Sequence, residues 1–146
     1  MNRKLWKGLL WALLVIYLAV LLRITVFRDS FGSHPLFQDG TIVWVPFVGL
    51  YRIFRNSVPY FLYLFVGNLV WFAPLGLLLP LLTGCGKKVI LYSFLLSLVI
   101  EVCQFIFGTG VTETEDLILN TLGGCLGYGV YCVIDRWGNR KKCDLP

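Results

Sequence analysis

The chain has 146 residues, 58% of them apolar and only 14% charged. An ordinary soluble domain carries roughly 25% charged residues, so a soluble enzyme or scaffold is excluded and the sequence reads as an integral membrane protein. The net charge of +5 does not point to nucleic acid, because the basic residues sit at the ends of apolar runs and form no stripe.

Residues 5–22 form an apolar run about as long as the roughly 20 residues a bilayer core requires. A basic start gives it the look of a signal peptide, but no small-residue cleavage site follows before Arg23, so an uncleaved first helix is expected. Residues 25–40 mix Arg28, Asp29, Gly32, His34, Pro35 and Asp39, the punctuation of a loop. His34 is the one histidine and reads as a solvated loop side chain. Residues 41–55 are apolar but too short to span, and Pro46 and Gly49 break them. Their aromatic content fits either an interfacial or re-entrant segment, with Trp44, Phe47 and Tyr51 at head-group level and Arg52 and Arg55 reaching phosphate or solvent, or a loop that merely covers the bundle.

Residues 61–82 are the second span, in which Pro74 and Gly76 predict a kink or a close backbone approach. The third and fourth spans are 89–107 and 117–134. In the fourth, Asn120, Gly123, Gly124 and Gly127 place small residues on one helix face, a stripe that suits close packing. The five cysteines show no C-x-x-C or Cys/His metal spacing. Cys103, Cys125 and Cys132 read as buried apolar residues and Cys85 and Cys143 as reduced thiols. No metal and no cofactor is expected. The fold class is therefore an all-α membrane protein: one domain over residues 1–146, a bundle of four transmembrane helices with a short interfacial or re-entrant segment between the first and second.

Orientation follows from the basic residues. Arg3, Lys4, Lys7, Lys87, Lys88, Arg136, Arg140, Lys141 and Lys142 mark one side, and Arg23, Arg28, Arg52 and Arg55 the other. The positive-inside rule then puts both termini in the cytoplasm and the long first loop and the acidic turn at 113–116 outside.

Ionisable groups at membrane depth cost several kcal/mol, on the order of 2.5 to 3.5 on insertion scales, so they face a cavity or a partner. Glu101 is such a group. It shares a helix face with Ser97 and Gln104, and Asp116 and Asn120 share one beyond the acidic turn. With Asn68 in the second span, these residues fall at similar depth, Glu101 lying about 9 Å from the outer end of its helix. A polar pocket beneath the outer head groups is expected, with Arg23 and Arg28 as charge partners for Glu101 and Asp116. A purely structural network tying the helices together is the alternative.

Three strings now become recognisable in order: N-x-x-x-F-x-P-L-G at Asn68 to Gly76, S-x-x-I-E-x-x-Q at Ser97 to Gln104, and E-D-L-I-L-N-T-L-G-G-x-L-G-Y at Glu115 to Tyr128. With Trp44-Val-Pro-Phe47 and the arginine-bearing end of helix one, they make the chain resemble the VanZ-like family of small membrane proteins over nearly its whole length. Trp44 stands where that family often has Asn, and Thr112-Glu-Thr114 where an apolar residue and Asp are common. The resemblance implies a cell-envelope role in a Gram-positive-type bacterium and an association with low-level resistance to teicoplanin-type lipoglycopeptides.

Three function classes follow. In the first, the protein binds a lipid, a lipid-linked cell-wall component or a lipoglycopeptide in an outward-facing pocket. Arg23 and Arg28 would meet an anionic head group there, and Asn68, Glu101, Gln104, Asp116 and Asn120 would supply further contacts. In the second, it is a membrane-embedded hydrolase or transferase with Glu101 as general base and Asp116 as a second carboxylate. The absence of any Ser/His/Asp set, H-E-x-x-H or metal cluster weighs against this class. In the third, it is a structural partner subunit.

Overall fold

A computed structural model describes residues 2–33, 35–37, 41–84 and 86–143; His34 and Cys85 lie outside the described residues. Four of the described helices are long and apolar enough to cross a membrane: α1 (Arg3–Thr25), α3 (Val58–Thr83), α4 (Val89–Phe107) and α5 (Thr114–Cys143). A short helix, α2 (Val48–Asn56), precedes α3. The outward faces of the long helices expose Leu9, Val15, Ile16, Leu62, Val66, Leu91, Val99, Leu126 and Val130. A surface this apolar is stable only against lipid.

The helices outrun the apolar runs that announce them, because an apolar run measures membrane thickness and helix ends are set by capping. Ser57 caps α3 by accepting from the Tyr60 N–H at 3.4 Å, and Pro59 in its first turn costs no hydrogen bond. Thus α3 starts three residues ahead of the expected span. Pro74 and Pro80 lie inside α3 without ending it. Near the carbonyl that Pro74 leaves without a helical donor, the Tyr17 hydroxyl donates to the Trp71 carbonyl at 2.7 Å, which ties α1 to α3.

The small residues of α5 meet the backbone of α3 directly. A β-carbon added at Gly127 would overlap the Ala73 carbonyl oxygen, one at Gly123 the Leu69 carbonyl oxygen, and one at Gly76 the carbonyl oxygen of Gly124. This contact places Asn68 beside the first turn of α5. Leu10, Leu14, Leu21, Phe72, Leu75, Leu78 and Ile100 form the apolar core between α1, α3 and α4.

The loops at one end of the bundle hold a feature absent from the sequence reading. Strand β1 (Thr41–Val43) pairs in parallel with β2 (Val111–Glu113), Thr41 opposite Val111 and Val43 opposite Glu113. The Thr114 hydroxyl extends the tie by donating to the carbonyls of Val43 at 3.2 Å and Trp44 at 3.1 Å. The segment expected to be interfacial is therefore a strand followed by a helix, with Trp44 and Tyr51 exposed. The first loop leans on the end of α4: the Phe37 N–H donates to the Ile106 carbonyl at 3.0 Å, and Phe31 packs on Phe107 with ring centroids 4.8 Å apart.

Candidate functional site

At the looped end of the bundle, the last turn of α1, the second to fourth turns of α3, the end of α4 and the start of α5 surround a cleft of 350 Å³. Its polar lining is Thr25, Arg28, Asn68, Gln104, Glu113 and Asp116, and Tyr63, Leu64 and Trp71 belong to its apolar wall. Beneath it lies a chamber of 60 Å³ that shares Thr25, Asn68, Trp71, Gln104 and Asp116 with the cleft and adds Glu101 and Asn120. One water requires about 10 to 15 Å³ measured this way, so the chamber has room for several.

Asn68, Glu101, Gln104 and Asn120 are each held by protein. Asn68 donates from Nδ2 to Asp116 Oδ1 at 2.5 Å across the α3–α5 contact. Asn120 donates to Ser97 Oγ at 2.9 Å, and Gln104 donates from Nε2 to the Thr25 carbonyl at 3.3 Å. Glu101 is 2% exposed, and its Oε2 accepts from the Glu113 N–H at 3.1 Å. The Thr112 hydroxyl donates to the Glu101 carbonyl at 3.1 Å. Strand β2 is thus tied to α4 through both the side chain and the backbone of Glu101.

The two arginines separate. Arg28 lines the cleft with Glu113 and Asp116. Arg23, expected as a partner of Glu101 or Asp116, turns away: its guanidinium bonds Asp29 at 3.4 Å and the Phe27 carbonyl, and both charged side chains are exposed. A loop aspartate six residues on in sequence offers Arg23 a wet pairing, whereas reaching Glu101 would mean burying the guanidinium. Of the seven residues the sequence singled out, six line the cleft or the chamber: Arg28, Asn68, Glu101, Gln104, Asp116 and Asn120.

Two carboxylates of the acidic turn do more than mark a membrane side. Glu115 is 1% exposed and its Oε1 accepts from the Leu50 N–H at 3.1 Å. This is one of the N–H groups that an α-helix start leaves without an internal partner. Gly49 permits the approach: a β-carbon there would stand 3.0 Å from both Glu113 Oε1 and Glu115 Oε1. Burial, then the charges of Asp116 and Glu115 and a hydrogen bond with the Glu115 carboxyl, push the Glu113 carboxyl up from 4.5 to about 7.

A carboxyl whose pKa is raised on folding binds its proton more tightly in the folded state. Folded-state stability from this group is therefore complete below pH 4.5 and lost as pH rises through about 7. Thermal unfolding in neutral detergent is expected to show wild type losing midpoint from pH 5 to pH 8, and Glu113→Gln losing less. An equal loss in both proteins would assign the pH dependence to other groups.

On the other face of β2, Glu101 and Glu113 also border an apolar groove of 230 Å³ lined by Ile42, Trp44, Leu98, Phe105 and Leu117. Among the described residues no group of three or more His, Cys, Asp or Glu is arranged to hold a metal ion.

The profile described as VanZ/LLP1 matches residues 14–135. The chain is also 31% identical over 137 residues to Protein VanZ of Enterococcus faecium, an alignment that covers 90% of this chain and 79% of that protein. No solved structure matches the chain significantly.

Proposed function

The chain belongs to the VanZ/LLP1 family of membrane proteins, and from that premise we propose that it binds an envelope amphiphile in the cleft at the looped end of the bundle. The amphiphile is a lipid, a lipid-linked cell-wall component or a lipoglycopeptide, and binding it contributes to resistance to teicoplanin-type antibiotics. The protein is a multi-pass component of a bacterial cytoplasmic membrane of the Gram-positive kind. Its nine basic residues on one side support termini in the cytoplasm and a cleft that opens outward.

The observation that carries this reading is the make-up of the cleft: a 350 Å³ space with a charged and amide-bearing floor and walls of Tyr63, Leu64 and Trp71. Polar groups at such depth are costly unless they serve a partner or a pathway. A space of this size with few convergent polar groups is of the kind that takes a small molecule. The apolar groove across β2 gives a chain-bearing ligand a second place to rest.

Mass spectrometry of lipids retained by the purified protein tests the reading. The wild type is expected to hold a defined amphiphile above the level of bulk lipid. Gly67→Phe is expected to lose it while staying folded, because Gly67 lines the cleft and a β-carbon there meets nothing within 4 Å. Bulk lipid alone in both proteins would favour a structural role.

One observation favours the enzymatic alternative: Glu101 and Asp116 border the same small chamber, an arrangement open to general acid and base chemistry on a lipid-linked substrate. Glu101→Gln keeps the shape and an acceptor for the Glu113 N–H. Abolition of the cellular phenotype by this change at normal protein level, with Gly67→Phe still active, would select the enzyme.

A further inference from the structure

Donors and acceptors in the site are unequal. The amides of Asn68, Gln104 and Asn120 each give one of their two N–H groups to a protein acceptor, as the Glu113 N–H does, which leaves one N–H on each amide and the Arg28 guanidinium as the remaining donors of the lining. The acceptors are in surplus. An ionised carboxylate offers about four lone-pair sites, and Glu101 and Asp116 each accept one protein hydrogen bond at the atoms named above. Gln104 Oε1 is wholly buried with no partner among the described residues, and Gln104 lines both cleft and chamber. Glu113 and Glu115 share a hydrogen bond, which leaves the remaining lone pairs of Glu113 open to the cleft that it lines.

Charge points the same way. Glu101, Glu113 and Asp116 line the connected spaces against one cation, Arg28, since Arg23 is occupied outside by Asp29. Bringing an anion here would add like charge in a medium that screens poorly and would leave Gln104 Oε1 and the carboxylates without donors. A group that donates and carries positive charge answers both deficits.

Resting on the reading that the cleft binds an amphiphile, we propose that the group it recognises is a protonated amine. Asp116, Glu113 and Gln104 Oε1 receive its N–H bonds, with Glu101 as the deeper countercharge. Arg28 at the cleft wall then sets the upper edge of the amine site by repulsion and does not itself anchor the ligand.

Two probes of equal chain length separate the possibilities: dodecylamine, protonated at pH 7, and monododecyl phosphate. Each is titrated into the full-length protein in neutral maltoside micelles, and retained adducts are counted by native mass spectrometry. The amine is expected to half-saturate the wild type at a concentration at least tenfold below the phosphate. The pair Glu113→Gln and Asp116→Asn, both isosteric, should raise the amine value about tenfold. Arg28→Gln should lower it, and Gly67→Phe should abolish retention by filling the cleft from open space.

Preference for the phosphate, lost in Arg28→Gln, would overturn the amine assignment and leave the amphiphile reading standing. Equal amine retention by the wild type and the Glu113→Gln/Asp116→Asn pair would also overturn it, since the carboxylates would then recognise nothing. Retention of neither probe above the Gly67→Phe level would overturn the amphiphile reading and the amine assignment together.

Discussion

Gly127→Leu is expected to abolish the folded bundle, destabilising it by about 3 kcal/mol or more, the upper end of what overpacking costs. The reason is geometric. The α3 and α5 backbones touch at Gly127 and Ala73, at Gly123 and Leu69, and at Gly76 and Gly124. What stands in the way is carbonyl oxygen rather than a side chain that can rotate aside, so a larger residue must push one helix off the other. That displacement would also part Asn68 from Asp116 and open the site. Gly129, on the same helix, has nothing within 4 Å of an added β-carbon, so Gly129→Ala should leave stability unchanged or slightly raised through helix propensity. Monodispersity and thermal unfolding in detergent read both. Equal tolerance of the two substitutions would mean that the helices do not pack as described.

Glu115→Ala should act on one element and spare the rest. Glu115 is buried where α5 meets the start of α2, and its carboxylate meets the Leu50 N–H, so it serves α2 as a capping residue supplied from another helix. The chain enters α2 through Phe47 in the left-handed region, at φ 64, a conformation that costs an L-residue about 1 to 2 kcal/mol and persists only when its surroundings hold it. Without the carboxylate, the Leu50 N–H is stranded, at a cost of about 1 to 3 kcal/mol. Hydrogen exchange of Leu50 and the α2 amides after it should quicken by about ten- to a hundredfold, while the cores of α3 and α5 keep their protection. Uniform loss of protection through α3 and α5 would make Glu115 a support of the whole bundle instead.

Much of this architecture is legible in the residues, because it rests on periodicities that lipid enforces. The four spans are apolar runs of the right length, and Asn68, Glu101, Gln104, Asp116 and Asn120 stand out by being polar inside them. Gly123, Gly124 and Gly127 announce a close helix contact by spacing, and that α3 is the partner shows only in the fold. What is not legible depends on pairings between distant loops. Thr41 to Val43 is too short to read as a strand, and nothing local marks Val111 to Glu113 as its mate. Glu115 looks like an exposed turn residue until the α2 amide that it meets is in view; Gly49, sixty-six positions before it in the chain, leaves the necessary room, and a glycine by itself does not say for what. The sequence offers Arg23 buried carboxylates as partners, and its pairing with Asp29 shows only once the path of the first loop is in view.

The parallel pairing of β1 with β2 carries a consequence for the order in which the molecule is assembled. A ribosome feeding this chain into a membrane releases β1 early, right after the first helix, and its mate emerges only once α3 and α4 have been made. Contacts between segments so far apart form late, because the loop between them must close first. Glu113, the last residue of β2, follows Glu101 by twelve residues and reaches it by its own N–H, so the carboxylate at membrane depth gains this partner in the same step that brings β1 its mate. Strand β1 therefore waits unpaired while α3 and α4 are made, and arrival of β2 with the final helix both completes the bundle and closes the cap over the site.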